Sequence, residues 1–383
     1  MRTIIPFSFY FLHFGAYATL APFFTIFYQS LGFTGIQIGL LTGVPPLVTL
    51  FATPVGTALA DRTRRHKLIM GLGIVVAIVV MLIIPQTTNF FSVFALIVFF
   101  NIFMSPVGAL TDSATMTMLG QQREIYGRVR IGGTIGWGIF AQFAGVVFGL
   151  YGLNILFYVF SGVMMISLFV SQKFSFSKHN EQAQDSSTTT IFIQSRFWII
   201  FLASSFLGGA GSFSVASYLS PYLQELGANG KQIGFAFFIG SLAELPAFYF
   251  GNLLVKRFTA RRLFVISLAL LGIRSVLFGL AGNLFVALAI QAGGGAFFPL
   301  MWLAGVAYVD ENTPTTLKTT SQGLFSAVTF GLGAAISGFV GGLLFDSFGG
   351  HGMFLFFGIA ILIGLTLLQI GNSGIHVPAN GKR

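Results

Sequence analysis

The sequence predicts an all-α membrane protein with twelve transmembrane helices arranged as two pseudo-symmetric six-helix bundles. Three observations carry that expectation. The composition is strongly apolar, the basic residues fall in alternate loops, and a segment near the start of each half recurs at a constant spacing.

Apolar residues make up 55% of the chain and charged residues 8%, with a mean hydropathy of +0.86. A water-soluble domain carries about a quarter charged residues, so most of this surface is not built to face water. Twelve spans of about 20 residues each use about 240 residues, because the hydrocarbon layer is about 30 Å thick. A chain of 383 residues then has room for short connections and one longer loop. There is no cysteine, which removes disulfide and thiol chemistry. The 48 glycines suit close helix–helix approach, and the 47 phenylalanines suit lipid-facing and cavity-lining surface. The formal charge of +10 would suggest nucleic acid on a soluble protein. Here its placement sets topology instead, and no nucleic-acid partner is expected.

Apolar runs place the first six spans near 4–29, 35–60, 68–85, 90–118, 130–152 and 154–172. The second six fall near 197–223, 231–255, 262–280, 284–309, 318–345 and 352–371. The run from Ile4 to Tyr28 is too long for the core of a cleaved signal peptide and reads as the first span. The expected domains are residues 1–172 and 197–371, joined by a flexible polar linker at 173–196 and followed by a tail at 372–383. With the N-terminus inside, 18 of the 20 Lys and Arg residues lie on the cytoplasmic side. Only Lys231 falls outside, and Arg274 lies within a span. An even number of spans with both termini cytoplasmic in a prokaryotic plasma (inner) membrane is therefore expected, and a monomer.

The repeat has an offset of 195 residues. Leu31-Gly-Phe-Thr-Gly-Ile-Gln-Ile-Gly39 recurs as Leu226-Gly-Ala-Asn-Gly-Lys-Gln-Ile-Gly234, with six identities in nine positions. Gly56, Leu59 and Arg62 recur as Gly251, Leu254 and Arg257, while Gly136 and Gly138 recur as Gly331 and Gly333. An even number of spans per copy makes the halves parallel, with a substrate site between them near mid-depth.

The stretch Gly56-Thr-Ala-Leu-Ala-Asp61-Arg62-Thr-Arg64-Arg65-His-Lys67 resembles the acidic–basic loop motif of the major facilitator superfamily. Tyr126-Gly-Arg128-Val-Arg130-Ile-Gly-Gly-Thr-Ile-Gly136 and Ser321-Gln-Gly-Leu-Phe-Ser326 are similar to its lactose-permease-like branch, which includes nucleoside–proton symporters and phenylpropionate permeases. The motif departs from the family at Arg64, where a glycine is usual, and its second copy carries Lys256 in place of the acid. The resemblance implies a transporter working by alternating access, with Asp61 and Arg62 as gating residues.

Charges inside spans are costly and are candidates for function. Asp112 shares a helical face with Asn101, Ser105, Gly108 and Thr115, spaced by three and four, as a wall facing a wet cavity would. Arg130 begins a face with Thr134 and Trp137. The acid in the fourth span and the arginine in the fifth resemble the pair in sugar permeases of this branch. Arg130 is expected to anchor a substrate acceptor and Asp112 to accept a hydroxyl or a proton; a structural salt bridge is the alternative. Glu244 and Arg274 lie at comparable depth and are expected to pair. An acid whose arginine partner comes and goes changes its proton affinity, so Glu244 is the first candidate proton carrier and Asp112 the second. His13 reads either as a substrate or proton ligand or as a hydrogen-bonded packing residue. Trp137, Trp302 and Gln291 are candidate cavity-lining residues, as is Arg274.

The five histidines are scattered and no metal-ligand spacing appears, so neither an enzyme, a metal site nor a cofactor is expected. No filter-like segment suggests a channel. The expected activity is secondary transport of a small polar or aromatic solute (nucleoside, sugar or aromatic acid), with the proton as coupling ion. Proton-driven export of drugs or metabolites and lipid flipping are the alternatives.

Overall fold

In hydrocarbon every backbone N–H and C=O must be paired within the protein. The chain meets that demand with helices, and no strand occurs among the described residues. The computed structural model describes residues 3–176, 196–314 and 317–372. Most of the expected linker (177–195) and tail (373–383) lies outside these residues.

The helices are α1 (Ile4–Ser30), α2 (Gly35–Thr63), α3 (His66–Gln86), α4 (Phe90–Leu119), α5 (Tyr126–Tyr151) and α6 (Ile155–Ser171). They continue as α7 (Arg196–Glu225), α8 (Gly230–Phe258), α9 (Ala260–Leu280), α10 (Leu284–Asn312), α11 (318–348) and α12 (350–372). Ten described helices are long and apolar enough to cross a bilayer, and the 17-residue α6 is a shorter apolar one. One of the ten turns back on itself at Gly349, where φ is 65°, and supplies both α11 and α12. Among the described residues this makes twelve helices, at the places the hydropathy predicts.

Three irregularities are absent from the apolar pattern. A 3-10 turn at Ala21–Phe23 interrupts α1 around Pro22. Helix α10 is broken between Gly294 and Phe297. Residues Ala327–Leu332 of α11 form a wider π turn, a feature that often marks functional segments.

The repeat builds the same corner twice. Gly32 and Gly227 take φ of 77° and 84°, turning the chain before α2 and α8. Thr34 and Asn229 then close matching capping boxes with Gln37 and Gln232, which satisfies backbone donors at each helix start. The correspondence extends to the far ends of these helices. Arg64 (φ 55°) and Thr259 (φ 65°, ψ 148°) are the non-glycine residues with positive φ among the described residues, and they are 195 positions apart. Thr259 sits in a region close to glycine-only, which costs about 1–3 kcal/mol. Thr259→Gly is expected to raise the thermal unfolding midpoint in detergent; an unchanged or lower midpoint would argue against strain at this corner.

The two halves meet at the face opposite the basic loops. There Gly35, Gly39 and Gly43 of α2 pack on α11, and Gly230 and Gly234 of α8 pack on Ala141 and Gly145 of α5. Thr25 donates to the Ser217 carbonyl at 2.6 Å, Gly35 N–H donates to Asp346 at 3.2 Å, and the Thr42 hydroxyl lies 3.3 Å from that of Tyr218. One apolar core runs across this seam, from Phe23 and Phe27 through Tyr218, Tyr222 and Ile233. Toward the basic face the second half has its own separate core around Trp198, Phe201, Phe264 and Met301. Below Leu50, which packs on Gly331, Pro54 and Asp61 on the same face of α2 are exposed. The protein is closed at one face and splayed at the basic one.

The beginning of the expected linker is not free chain. Phe174 is fully buried with its ring against Phe9 (5.2 Å), and Phe176 stacks on His66 (4.9 Å). Lys67 also donates to the Gln172 carbonyl at 3.0 Å. Two aromatic residues inside a polar run hold its first residues to the N-terminal half.

Candidate functional site

A cavity of about 300 Å³ opens between the halves. Phe14 of α1 and Arg130, Ile131, Thr134 and Trp137 of α5 form one wall, and Glu244 of α8 reaches it from the other half. Arg130, Thr134 and Trp137 project to one side because spacings of four and three residues return to the same helical face. Glycines set the position of that wall. A methyl group on Gly136 would lie 2.2 Å from the Phe11 carbonyl oxygen, so α5 and α1 touch backbone to backbone.

Beside the cavity lies a polar cluster drawn from three helices. Tyr10 of α1 donates to Asp112 Oδ1, and Tyr126 donates to the same oxygen at 2.9 Å. Arg130 Nη1 donates to the Tyr126 hydroxyl at 2.8 Å and stands 3.6 Å from Asp112 Oδ2. The Asp112–Arg130 pair is therefore bridged by a phenol rather than bidentate, and both side chains remain about half exposed, at 42% and 52%. Sequence reasoning paired Asp112 with Arg130 but missed both tyrosines. The available signal was the four-residue spacing of Tyr126 and Arg130, which stacks them on one face. Removing the Tyr126 hydroxyl with Tyr126→Phe is expected to weaken solute binding by about tenfold, the value of one charge-assisted hydrogen bond; unaltered affinity in an equilibrium binding assay would exclude the bridge from recognition.

The polar stripe on α4 does not face water throughout. Thr115 is fully buried and donates to the Thr111 carbonyl at 2.7 Å. A hydroxyl satisfied within its own helix can turn inward, which spacing alone does not reveal.

Glu244 stands at the cavity with neither a hydrogen bond nor an ion pair within 4.0 Å among the described residues. The expected contact pair with Arg274 is not formed. Arg274 is buried, and its Nη2 donates to Gln291 Oε1 at 2.5 Å. The two charges remain within electrostatic reach of each other. Gln291 is likewise buried and thus occupied by Arg274.

His13 is enclosed by Phe9, Phe14 and Tyr17, with ring centroids 5.2–5.6 Å away. Its Nδ1 has no hydrogen-bond partner among the described residues. Trp302 stacks on Phe325 (4.7 Å) and meets Phe330 edge-on (4.6 Å), inside the second half rather than beside Trp137. Asp61 and Arg62 are exposed at the basic face, where Asp61 pairs with His66 Nε2 at 2.7 Å. No group of three or more potential metal ligands occurs among the described residues.

Comparison with known proteins agrees with this architecture. The chain is 24% identical to the maltose permease of Geobacillus stearothermophilus over 371 residues, covering 96% of this chain and 94% of the permease. It is 24% identical to the probable 3-phenylpropionic acid transporter of Escherichia coli, covering 90% of this chain and 91% of that protein. The fold superposes on a crystal structure of a mutant of the nucleoside transporter NupG with a TM-score of 0.87 at 17% identity, over 97% of this chain and all of that one. Residues 7–356 match the model of the MFS_1 like family. With helices, repeat and cavity in place, the chain belongs to the MFS_1 like family, a group of multi-pass membrane transporters within the major facilitator superfamily.

Proposed function

We propose that this transporter moves a small polar or aromatic organic solute of the nucleoside, sugar or aromatic-acid kind, by alternating access coupled to protons. The supporting observation is a cavity at the seam of two bundles, splayed toward one face, with Arg130 and Trp137 on one wall and an unpaired Glu244 on the other. Arg130 supplies donors, Asp112 supplies an acceptor, and Trp137 with Phe14 offers ring surface for a planar or sugar-like group. The names of the maltose, phenylpropionate and nucleoside transporters are in keeping with these classes.

In this reading the halves (1–172 and 197–371) rock about the cavity as units. The basic loops lie in the cytoplasm with both termini, in a plasma membrane, and the conformation described is the one open inward. The monomer is the working unit. Glu244 carries the coupling proton, Asp112 binds substrate, and Asp61 with Arg62 tethers the basic face when it closes. The deciding experiment is uptake into proteoliposomes under an imposed pH gradient, scanned over labelled uridine, maltose and phenylpropionate. Accumulation that collapses when a protonophore is added supports the reading. Uptake indifferent to the gradient would remove proton coupling, and no uptake of any of the three would remove these solute classes.

A further inference from the structure

Arg274 is a buried cation that no acid among the described residues holds within 4.0 Å. Three helices meet around it. A methyl group on Gly294 of α10 would lie 2.3 Å from Arg274 Cδ, and one on Gly240 of α8 would lie 2.6 Å from Gln291 Nε2. The two glycines thus make the room in which the arginine and the amide lie together. Gly240 and Glu244 are one helical turn apart on α8, a rise of about 6 Å. Gln291 therefore meets α8 one turn from the free carboxylate. Arg274 Nε has no hydrogen-bond partner among the described residues. The helical pattern of α10 is interrupted just beyond Gly294, at Gly295 and Ala296, four residues after the acceptor.

A neutral amide holds a buried guanidinium less firmly than a carboxylate does. We infer that Gln291 is the positioning residue of a two-state arginine switch: it holds Arg274 off Glu244 while the basic face is open, and Arg274 crosses to Glu244 when that face closes. The choice of a neutral acceptor keeps the two arrangements close in free energy, which a cycling protein needs. A permanent ion pair at either acceptor would favour one state. The inference rests on the alternating-access reading above, and it adds to Glu244 a partner and the element that controls when the partner arrives.

The natural absence of cysteine makes the test direct. Spin labels on cysteines at Leu59 and Gly323 sit on α2 and α11 beyond the Leu50–Gly331 contact, so their separation reports opening of the basic face. Gln291→Leu is expected to add a shorter-distance population, raised about tenfold over the parent. Gln291→Glu is expected to leave only the long distance. Gln291→Leu combined with Glu244→Gln is expected to return to the parent distribution, because the arginine then has no acid to cross to. Gln291→Met carries the same test if the leucine variant does not fold. A parent-like distribution in Gln291→Leu, a shift of the same sign in Gln291→Glu, or a short population that survives Glu244→Gln would each overturn the switch. The distances are read without substrate or gradient, so a failed solute assignment in liposomes remains a separate result.

Discussion

Glu244→Gln is expected to abolish uphill accumulation while leaving exchange of internal for external solute nearly intact. Glutamine keeps the shape of the protonated acid but neither gains nor loses a proton. Coupling needs an acid whose surroundings differ between two states, since a group that binds its proton equally in both shifts nothing. Glu244 has the placement for that: it reaches the cavity, lacks a contact partner among the described residues, and stays within electrostatic reach of Arg274. With one proton per solute, a gradient of one pH unit sustains an accumulation ratio of about tenfold. The variant should bring that ratio to about one, with exchange within about twofold of the parent. Retained accumulation would move the coupling role to Asp112 or away from protons altogether.

The second large effect is expected at the closed seam. A methyl group on Gly338 would lie 2.3 Å from the Gly43 nitrogen, and one on Gly145 would lie 2.4 Å from the Gly230 carbonyl oxygen. The other nearest atoms at both positions are also backbone, so no side chain can swing aside. Overpacking of this kind costs about 1–3 kcal/mol per site or more. Gly145→Leu with Gly338→Leu should therefore push the halves apart at this face by a factor of about a thousand in population. Transport is expected to stop, while the second half keeps its separate core around Trp198, Phe201, Phe264 and Met301. A single cysteine in place of Thr25, whose side chain is buried at the seam, should become reactive to an impermeant maleimide in this background. Normal turnover with an unreactive cysteine would show that the glycine contacts are dispensable for closure.

Much of this was legible because membranes simplify the problem. A span needs a long apolar run whatever surrounds it, so the crossings could be placed from hydropathy. The repeat carried local backbone chemistry with it, and Gly32 with Gly227 and Thr34 with Asn229 form equivalent corners. Intramembrane charge is expensive wherever it lies, which singled out Asp112, Glu244 and Arg274. The run Gly293-Gly294-Gly295 was visible too, yet only the tertiary contacts show that Gly294 makes room for Arg274 and Gly295 for the Gly240 carbonyl.

What the chain determined by itself is therefore the number of helices, their order, their corners and the short set of polar residues they carry. Helical periodicity fixes which residues share a face, but not how far each helix is rotated or how deep it lies against its neighbours. Partner choice depends on both. Only the tertiary structure gave Asp112 to Tyr10 and Tyr126, Arg274 to Gln291, and Trp302 to Phe325, and left Glu244 facing the cavity alone among the described residues.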